Sequence, residues 1–404
     1  MKTSVMVGRS FKWVSARDVV PNGLETTRLS RALVICAVAI SASVLIGAET
    51  NPPQTTLRSS ANTSLRHEVQ HAIDKGQAWL VSSQNTNGFW SSPDYPAVTA
   101  LALTAFELRS RGQEPKPAAV KNGYAYLLSC VKPDGGIYHK DLSSYNTSIA
   151  LTALVVGNRS EWRPIIEKAR KFVVSLQTAS GGIGYGKDDK EPDLSNTSWA
   201  LEALAISKSY LGPENSLDGS DLNWKAAIAF LQSCQNLPSH NSAAWVSDDP
   251  QNKGGFIYAP AASKAGETNL PSGRVALRSY GSMSYAGLMS YIHADLKRDD
   301  PRVTAVMDWL RANYSVDENP ALGQEGLYYY YHTMAKALTV YGADMLVTKD
   351  GRNIKWGEQL ALKLINLQHT NGSWANENGR WWEKDPSLVT AYTLMALEMI
   401  HARL

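Results

Sequence analysis

From about residue 73 to residue 397 the chain alternates two kinds of apolar pattern. The first kind is amphipathic, with apolar positions on one side of a helical period and Lys, Arg and Glu on the other. The second is apolar on almost every face and built from Ala, Leu and Thr, as in 97–106, 147–154, 197–204 and 388–397. A helix with no polar face must be buried, whereas an amphipathic one covers a core. Each pair is joined by a turn that carries Gly beside a bulky apolar residue. The sharpest turns are Gln84-Asn85-Thr86-Asn87-Gly88-Phe89-Trp90 and Gln368-His369-Thr370-Asn371-Gly372-Ser373-Trp374. Others centre on Gly135-Gly136, Gly181-Gly182, Gly254-Gly255 and Gly323 to Gly326.

Six units result: Ile73–Arg109, Val120–Leu154, Glu167–Leu204, Trp224–His293, Arg302–Leu338 and Lys355–Leu397. A period of roughly 50 residues describes stacked supersecondary units. An open stack would expose apolar ends, so the pattern predicts closure into an all-α (α/α)6 toroid, apolar helices inside and amphipathic helices outside. Asn146/Thr147, Asn196/Thr197, Ser282 and Ser387 are the expected caps of the inner helices. Their N-termini should gather at one mouth, where partial positive charge and free N–H groups collect.

The expected domain organisation is 1–48 as a targeting or anchoring segment, 49–66 as a linker and 67–404 as the toroid. An apolar run, Ala32–Ala48, follows Arg28 and Arg31 and ends in small residues. It reads as a signal for export or as a membrane anchor, so membrane association through 32–48 and an exported location are expectations. Six of the 40 Lys/Arg and two of the 37 Asp/Glu fall in residues 1–48, which leaves the rest of the chain with one net negative charge. No basic block remains to meet nucleic acid. Of the three Cys, Cys130 and Cys234 occupy the same pre-turn slot in units two and four and read as buried apolar residues.

The Gln…Gly-x-Trp turns at 84–90 and 368–374, set in six helical hairpins, resemble the squalene-cyclase and protein-prenyltransferase β-subunit superfamily over residues 70–400. The resemblance implies an isoprenoid or other apolar ligand in a central cavity. Leu327-Tyr328-Tyr329-Tyr330-Tyr331-His332-Thr333 is similar to the prenyltransferase segment around its zinc-binding His, and Gly273 to Ser282 to the segment carrying that family's Asp and Cys ligands. Tyr280 and Ser282 stand where those ligands would be, so zinc-dependent protein prenylation is not expected, and neither a metal nor a cofactor is implied. Arg274 matches an arginine that holds the isoprenoid diphosphate in that family, and Arg278 adjoins the second place. The Asp-x-Asp-Asp motif of class II terpene cyclases is absent.

Candidate catalytic groups are His332, Asp385 and Glu383. Candidate binding groups are Arg274, Arg278, Tyr280, Tyr328, Tyr330, Tyr331 and Trp382, aromatics and guanidinium groups placed near the mouth. Twelve Trp and eighteen Tyr against six Phe fit a cavity wall with polar tips. Two other readings stay open: a non-catalytic toroid that binds a ligand or a protein, and a carbohydrate-active α/α toroid.

Overall fold

The computed structural model describes residues 60–109, 116–187, 189, 191–212 and 221–404; the apolar run 32–48 lies outside them. Among the described residues twelve α-helices form six hairpins. The outer helices are α1 (Ser60–Ser83), α3 (Ala118–Ser129), α5 (Arg163–Ser175), α7 (Trp224–Cys234), α9 (Pro301–Ala312) and α11 (Trp356–Asn366). The inner helices are α2 (Pro96–Arg109), α4 (Ser143–Gly157), α6 (Leu194–Leu211), α8 (Gly281–His293), α10 (Leu327–Tyr341) and α12 (Pro386–His401). Two short hairpins, β1–β2 (Glu267–Asn269 with Val275–Leu277) and β3–β4 (Leu346–Val347 with Asn353–Ile354), decorate the connections. The first helix begins at Ser60, inside the span that the sequence suggests as linker.

Each inner helix packs on the next, and α12 packs on α2, so the ring closes into the α/α toroid. Burial follows the sequence pattern: α12 is buried from Ser387 through Glu398, whereas α5 buries one stripe, Ile166, Ala169, Arg170, Phe172 and Val173. Each fully buried Leu or Ile of the inner ring contributes about 1.5–3 kcal/mol relative to an exposed one.

The repeated turn welds neighbouring units together. Gln368 Nε2 donates to its own turn at the Gly372 carbonyl (2.9 Å) and across the seam to the Ala72 carbonyl of α1 (2.9 Å). Gln84 makes the same two bonds, to Gly88 and to Ala119 of α3, both at 2.8 Å. Gly372 has φ +96°, and a Cβ there would stand 2.5 Å from the Lys75 carbonyl oxygen, so only glycine lets unit six meet unit one.

Thr147 and Thr197, two of the expected caps, do a different job, which Thr99 and Thr390 share. Thr147 Oγ1 accepts the Ile137 N–H (2.9 Å) and Thr197 Oγ1 the Ile183 N–H (2.9 Å). Thr99 and Thr390 do the same for Trp90 and Trp374 (3.1 and 3.0 Å). These hydroxyls fasten the bulky apolar turn residues to the inner ring. The N-caps of α6 and α12 are aspartates, Asp193 and Asp385. Cys130 and Cys234 are buried free thiols.

Candidate functional site: an aromatic cavity at the N-terminal mouth

A cavity of about 440 Å³ opens among the N-terminal turns of the inner helices. Val98 of α2, Tyr145 of α4, Trp199 of α6, Met283 of α8, Tyr329 of α10 and Tyr392 of α12 all reach it, so every unit of the ring contributes. Loops complete the wall with Tyr95, Tyr185, Tyr258 and the pair Trp381–Trp382. This size suits a small-molecule site.

Below the cavity the barrel is filled. Trp199 forms part of the floor, stacked on His332 with ring centroids 5.6 Å apart and interplanar angle 25°. Lys336 lies over the Trp199 ring (4.4 Å) and forms a buried ion pair with Glu202, joining α10 to α6. On α10 the residues Tyr329, His332, Thr333 and Lys336 follow an i, i+3, i+4, i+7 stripe, which turns them to one face. At 1.5 Å per residue, Lys336 sits about 10 Å deeper than Tyr329.

This depth corrects the expectation for His332. The imidazole is fully buried beneath Trp199 and Tyr392 and does not line the cavity. Neither ring nitrogen has a partner at good hydrogen-bonding geometry. Burial, then the Lys336 ammonium, hold its pKa well below the usual imidazole value against a weaker pull from the Tyr392 backbone. A neutral, packed imidazole cannot reach a ligand above it.

Three expected residues do wall the cavity: Tyr280, Trp382 and Glu383. Glu383 is 1% exposed, and its carboxylate accepts the backbone N–H groups of Tyr328 (3.3 Å) and Tyr329 (2.7 Å) and the Asn376 amide (2.7 Å). It therefore serves the free N–H groups at the start of α10. Burial raises its pKa, opposed by those same hydrogen bonds. Trp381 and Trp382, just before it, both have left-handed backbones (φ 53° and 64°) and are 43% and 52% exposed. Trp382 packs on Tyr95 at 4.6 Å between ring centroids. Two bulky residues in that conformation store about 1–2 kcal/mol each, held by the Glu383 anchor.

The other expected residues are elsewhere. Asp385 is a helix cap that accepts the Ser387 N–H (2.8 Å) and the Ser91 hydroxyl, and it is not on the wall. Tyr330 and Tyr331 turn outward and donate to the Ser315 and Val316 carbonyls (2.7 and 2.6 Å), and Tyr328 packs edge-on against Tyr331. Arg274 pins the preceding loop through the Ala244 and Val246 carbonyls (3.0 and 2.6 Å), and Arg278 approaches the Ala265 carbonyl (3.4 Å); neither lines the central cavity. Tyr329, the member of the tyrosine run not singled out from the sequence, is the one on the wall. The signal that would have found the missed residues is a large aromatic within the first two turns of an Ala/Leu/Thr inner helix: Tyr145, Trp199, Tyr329 and Tyr392.

The wall is aromatic with hydroxyl tips in pairs: Tyr185 with Tyr258 (2.9 Å), Tyr145 with Tyr392 (3.2 Å) and Ser195 with Tyr329 (3.3 Å). Glu383 and Lys264 are its charged side chains among the described residues. No cluster of three or more His, Cys, Asp or Glu among those residues is arranged to hold a metal.

No family model matches the chain. A squalene–hopene cyclase from Bradyrhizobium diazoefficiens is 28% identical over 33% of this chain, and the match spans a quarter (25%) of that enzyme. A variant of the type II terpene cyclase MstE from Scytonema, solved with its substrate geranylgeranyl dihydroxybenzoate, superposes with TM-score 0.50 at 12% identity, over 85% of this chain and 100% of that one. A possible member of the GH105 family from Salmonella enterica superposes equally, with TM-score 0.50 at 10% identity, over 89% of this chain and 100% of that one. The closed ring and these likenesses show the α/α toroid fold, and part of the chain is similar to a squalene–hopene cyclase.

Proposed function

We propose that the protein holds an apolar, isoprenoid-like small molecule in the cavity at the N-terminal mouth. The observation that carries this reading is the wall itself: about 440 Å³ bounded by Trp and Tyr faces, Met283, Leu388 and Val98, with hydroxyls at intervals. Such a wall rewards burial of apolar surface and fixes orientation through a few polar groups. The isoprenoid substrate of MstE and the similarity to a squalene–hopene cyclase support the same chemistry. Sugar hydrolysis, the reading closest to the other neighbour, calls for two carboxylates flanking the scissile bond; the described wall carries one, Glu383, and it is committed to the start of α10.

The test is native mass spectrometry of the protein purified from its host, followed by tryptophan-fluorescence titration with geranylgeraniol. A co-purified lipid and saturable quenching are expected, and Trp199→Ala should weaken binding at least tenfold. A cavity that takes soluble oligosaccharides and ignores prenyl alcohols would overturn the reading. We also place the protein in the cell envelope or outside the cell, on the apolar run 32–48 behind Arg28 and Arg31. Among the described residues no helix is long and apolar enough to cross a membrane. Fractionation of cells expressing the full chain and a chain lacking residues 1–48 tests that placement; a cytoplasmic full chain would refute it.

A further inference from the structure

The outer surface of the ring carries a side-chain cluster that the cavity does not use. On α1 the run His67-Glu68-Val69-Gln70-His71 has the H-E-x-x-H spacing. Residues four apart on a helix share one face, with Cβ atoms about 5–6 Å apart. Two imidazoles at that spacing can converge on a single metal ion. The structure leaves the pair open to solvent: His67, Glu68 and His71 are all exposed. They line an open groove of about 410 Å³ whose far wall is Ile365 of α11 and Gln368 of the turn that follows it. Neither imidazole makes a hydrogen bond or an ion pair with the described residues.

The backbone under the pair is fixed. Val69, between the two histidines, is fully buried, as are Leu65, Ala72 and Ile73 on the same inward stripe. Gln368 Nε2 grips the Ala72 carbonyl (2.9 Å), which ties the far wall of the groove to the residue after His71. The two rings therefore project from a turn of helix that is held on both sides.

We infer that His67 and His71 bind one divalent transition-metal ion, of the zinc, copper or nickel kind, on the outer face of the seam between units six and one. Neutral imidazole nitrogens suit these ions, whereas Mg²⁺ and Ca²⁺ call for oxygen donors. Each ring lends one nitrogen lone pair. Glu68 adds a negative charge on the same face, and its Oε1 accepts the Ser64 hydroxyl (3.2 Å). Lys75, one turn beyond His71, is the cation on the groove wall and offsets that charge. No third His, Cys, Asp or Glu among the described residues completes the set. The remaining positions on the ion fall to water or to an outside donor, which is the arrangement of an exchanging site and not of a closed structural one. The site lies outside the ring and is independent of the cavity and of what the cavity holds.

The experiment uses the full chain, purified without a polyhistidine tag and stripped with EDTA. Calorimetric titration with zinc chloride should show one equivalent bound, and calcium chloride should show none. The copper(II) form should give an electron paramagnetic resonance spectrum with hyperfine coupling to two imidazole nitrogens. His67→Ala and His71→Ala should each weaken zinc by at least the tenfold typical even of an outer-shell partner, and the double variant should lose that equivalent. Saturating zinc should raise the thermal unfolding midpoint of the wild type, because the pair is assembled only when α1 is helical. It should leave the midpoint of the double variant where it is. Without metal the variants should unfold where the wild type does, which checks that they fold. A wild type that takes up no zinc, an equivalent that survives in the double variant, or a copper spectrum with a single nitrogen would overturn the site.

Discussion

Asp193→Asn should make the folded protein more stable at neutral pH. The carboxyl is buried without a cation, and burial lifts it from the 3.8 of a solvated aspartate to about 6. Between those values the native state binds more protons than the unfolded chain, so stability falls as pH rises. The favourable protonated state is fully present below about pH 4 and is lost as pH passes 6. At about 1.4 kcal/mol for each pH unit the penalty at pH 8 is at most about 3 kcal/mol. An amide at this position never ionises and escapes it. Asparagine is also as good a cap as aspartate. Its new N–H₂ group has a ready acceptor, because Asn196 Oδ1 is buried without a partner and a flip of that amide presents it. The assay is urea unfolding of both proteins from pH 4 to 8. The variant should match the wild type near pH 4 and exceed it by about 2–3 kcal/mol at pH 8. Parallel stability curves across that range would refute the claim that the carboxyl is held up by burial.

Lys336→Met should cost about 3–5 kcal/mol in urea unfolding, because it strands the Glu202 carboxylate in the barrel, and Lys336→Met with Glu202→Leu should recover most of that loss. Gly372→Ala should cost more than 2 kcal/mol or prevent folding, since its Cβ would press on the Lys75 carbonyl at φ +96°, whereas Gly266→Ala, with φ +78° and open space, should cost about 1 kcal/mol; thermal unfolding separates the two. His332 should remain neutral from pH 5 to 8, so its imidazole NMR resonances should not titrate there. Because its pKa is lowered on folding, it contributes stability above the unfolded value of 6.5 that is lost as pH falls through the folded one.

The ring was legible because its two helix classes differ in a property that the sequence displays outright. A stretch such as Leu388 to Leu397 has no polar face, and only an inner position can hide it. The turns were legible as punctuation, but their mechanics were not. That Gln368 reaches Ala72, 296 positions away in sequence, depends on closure and leaves no local trace. The inner-helix hydroxyls were assigned as caps because Ser and Thr favour that place. In the structure Asp193 and Asp385 take the caps expected of Asn196/Thr197 and Ser387, and Thr197 instead holds Ile183.

The site was less legible because its residues are selected by rotation and depth, which a run of like residues does not disclose. Tyr328 through Tyr331 turn through nearly a full helical circuit, so only one of the four faces the cavity. The helix phase is set elsewhere, by the Glu383 clamp on the Tyr328 and Tyr329 N–H groups and by Tyr330 and Tyr331 anchored on the loop at 315–316. Depth is decided by the ion pair. Lys336 and Glu202 hold the centre of the barrel closed, Trp199 lies on that plug, and everything below the indole, His332 included, is denied to a ligand. The polar pair that marks the floor therefore also limits the chemistry. Residues that can meet a bound molecule are those in the first two turns of the inner helices and in the loops above them, and there the hydroxyls of tyrosine outnumber every other polar group.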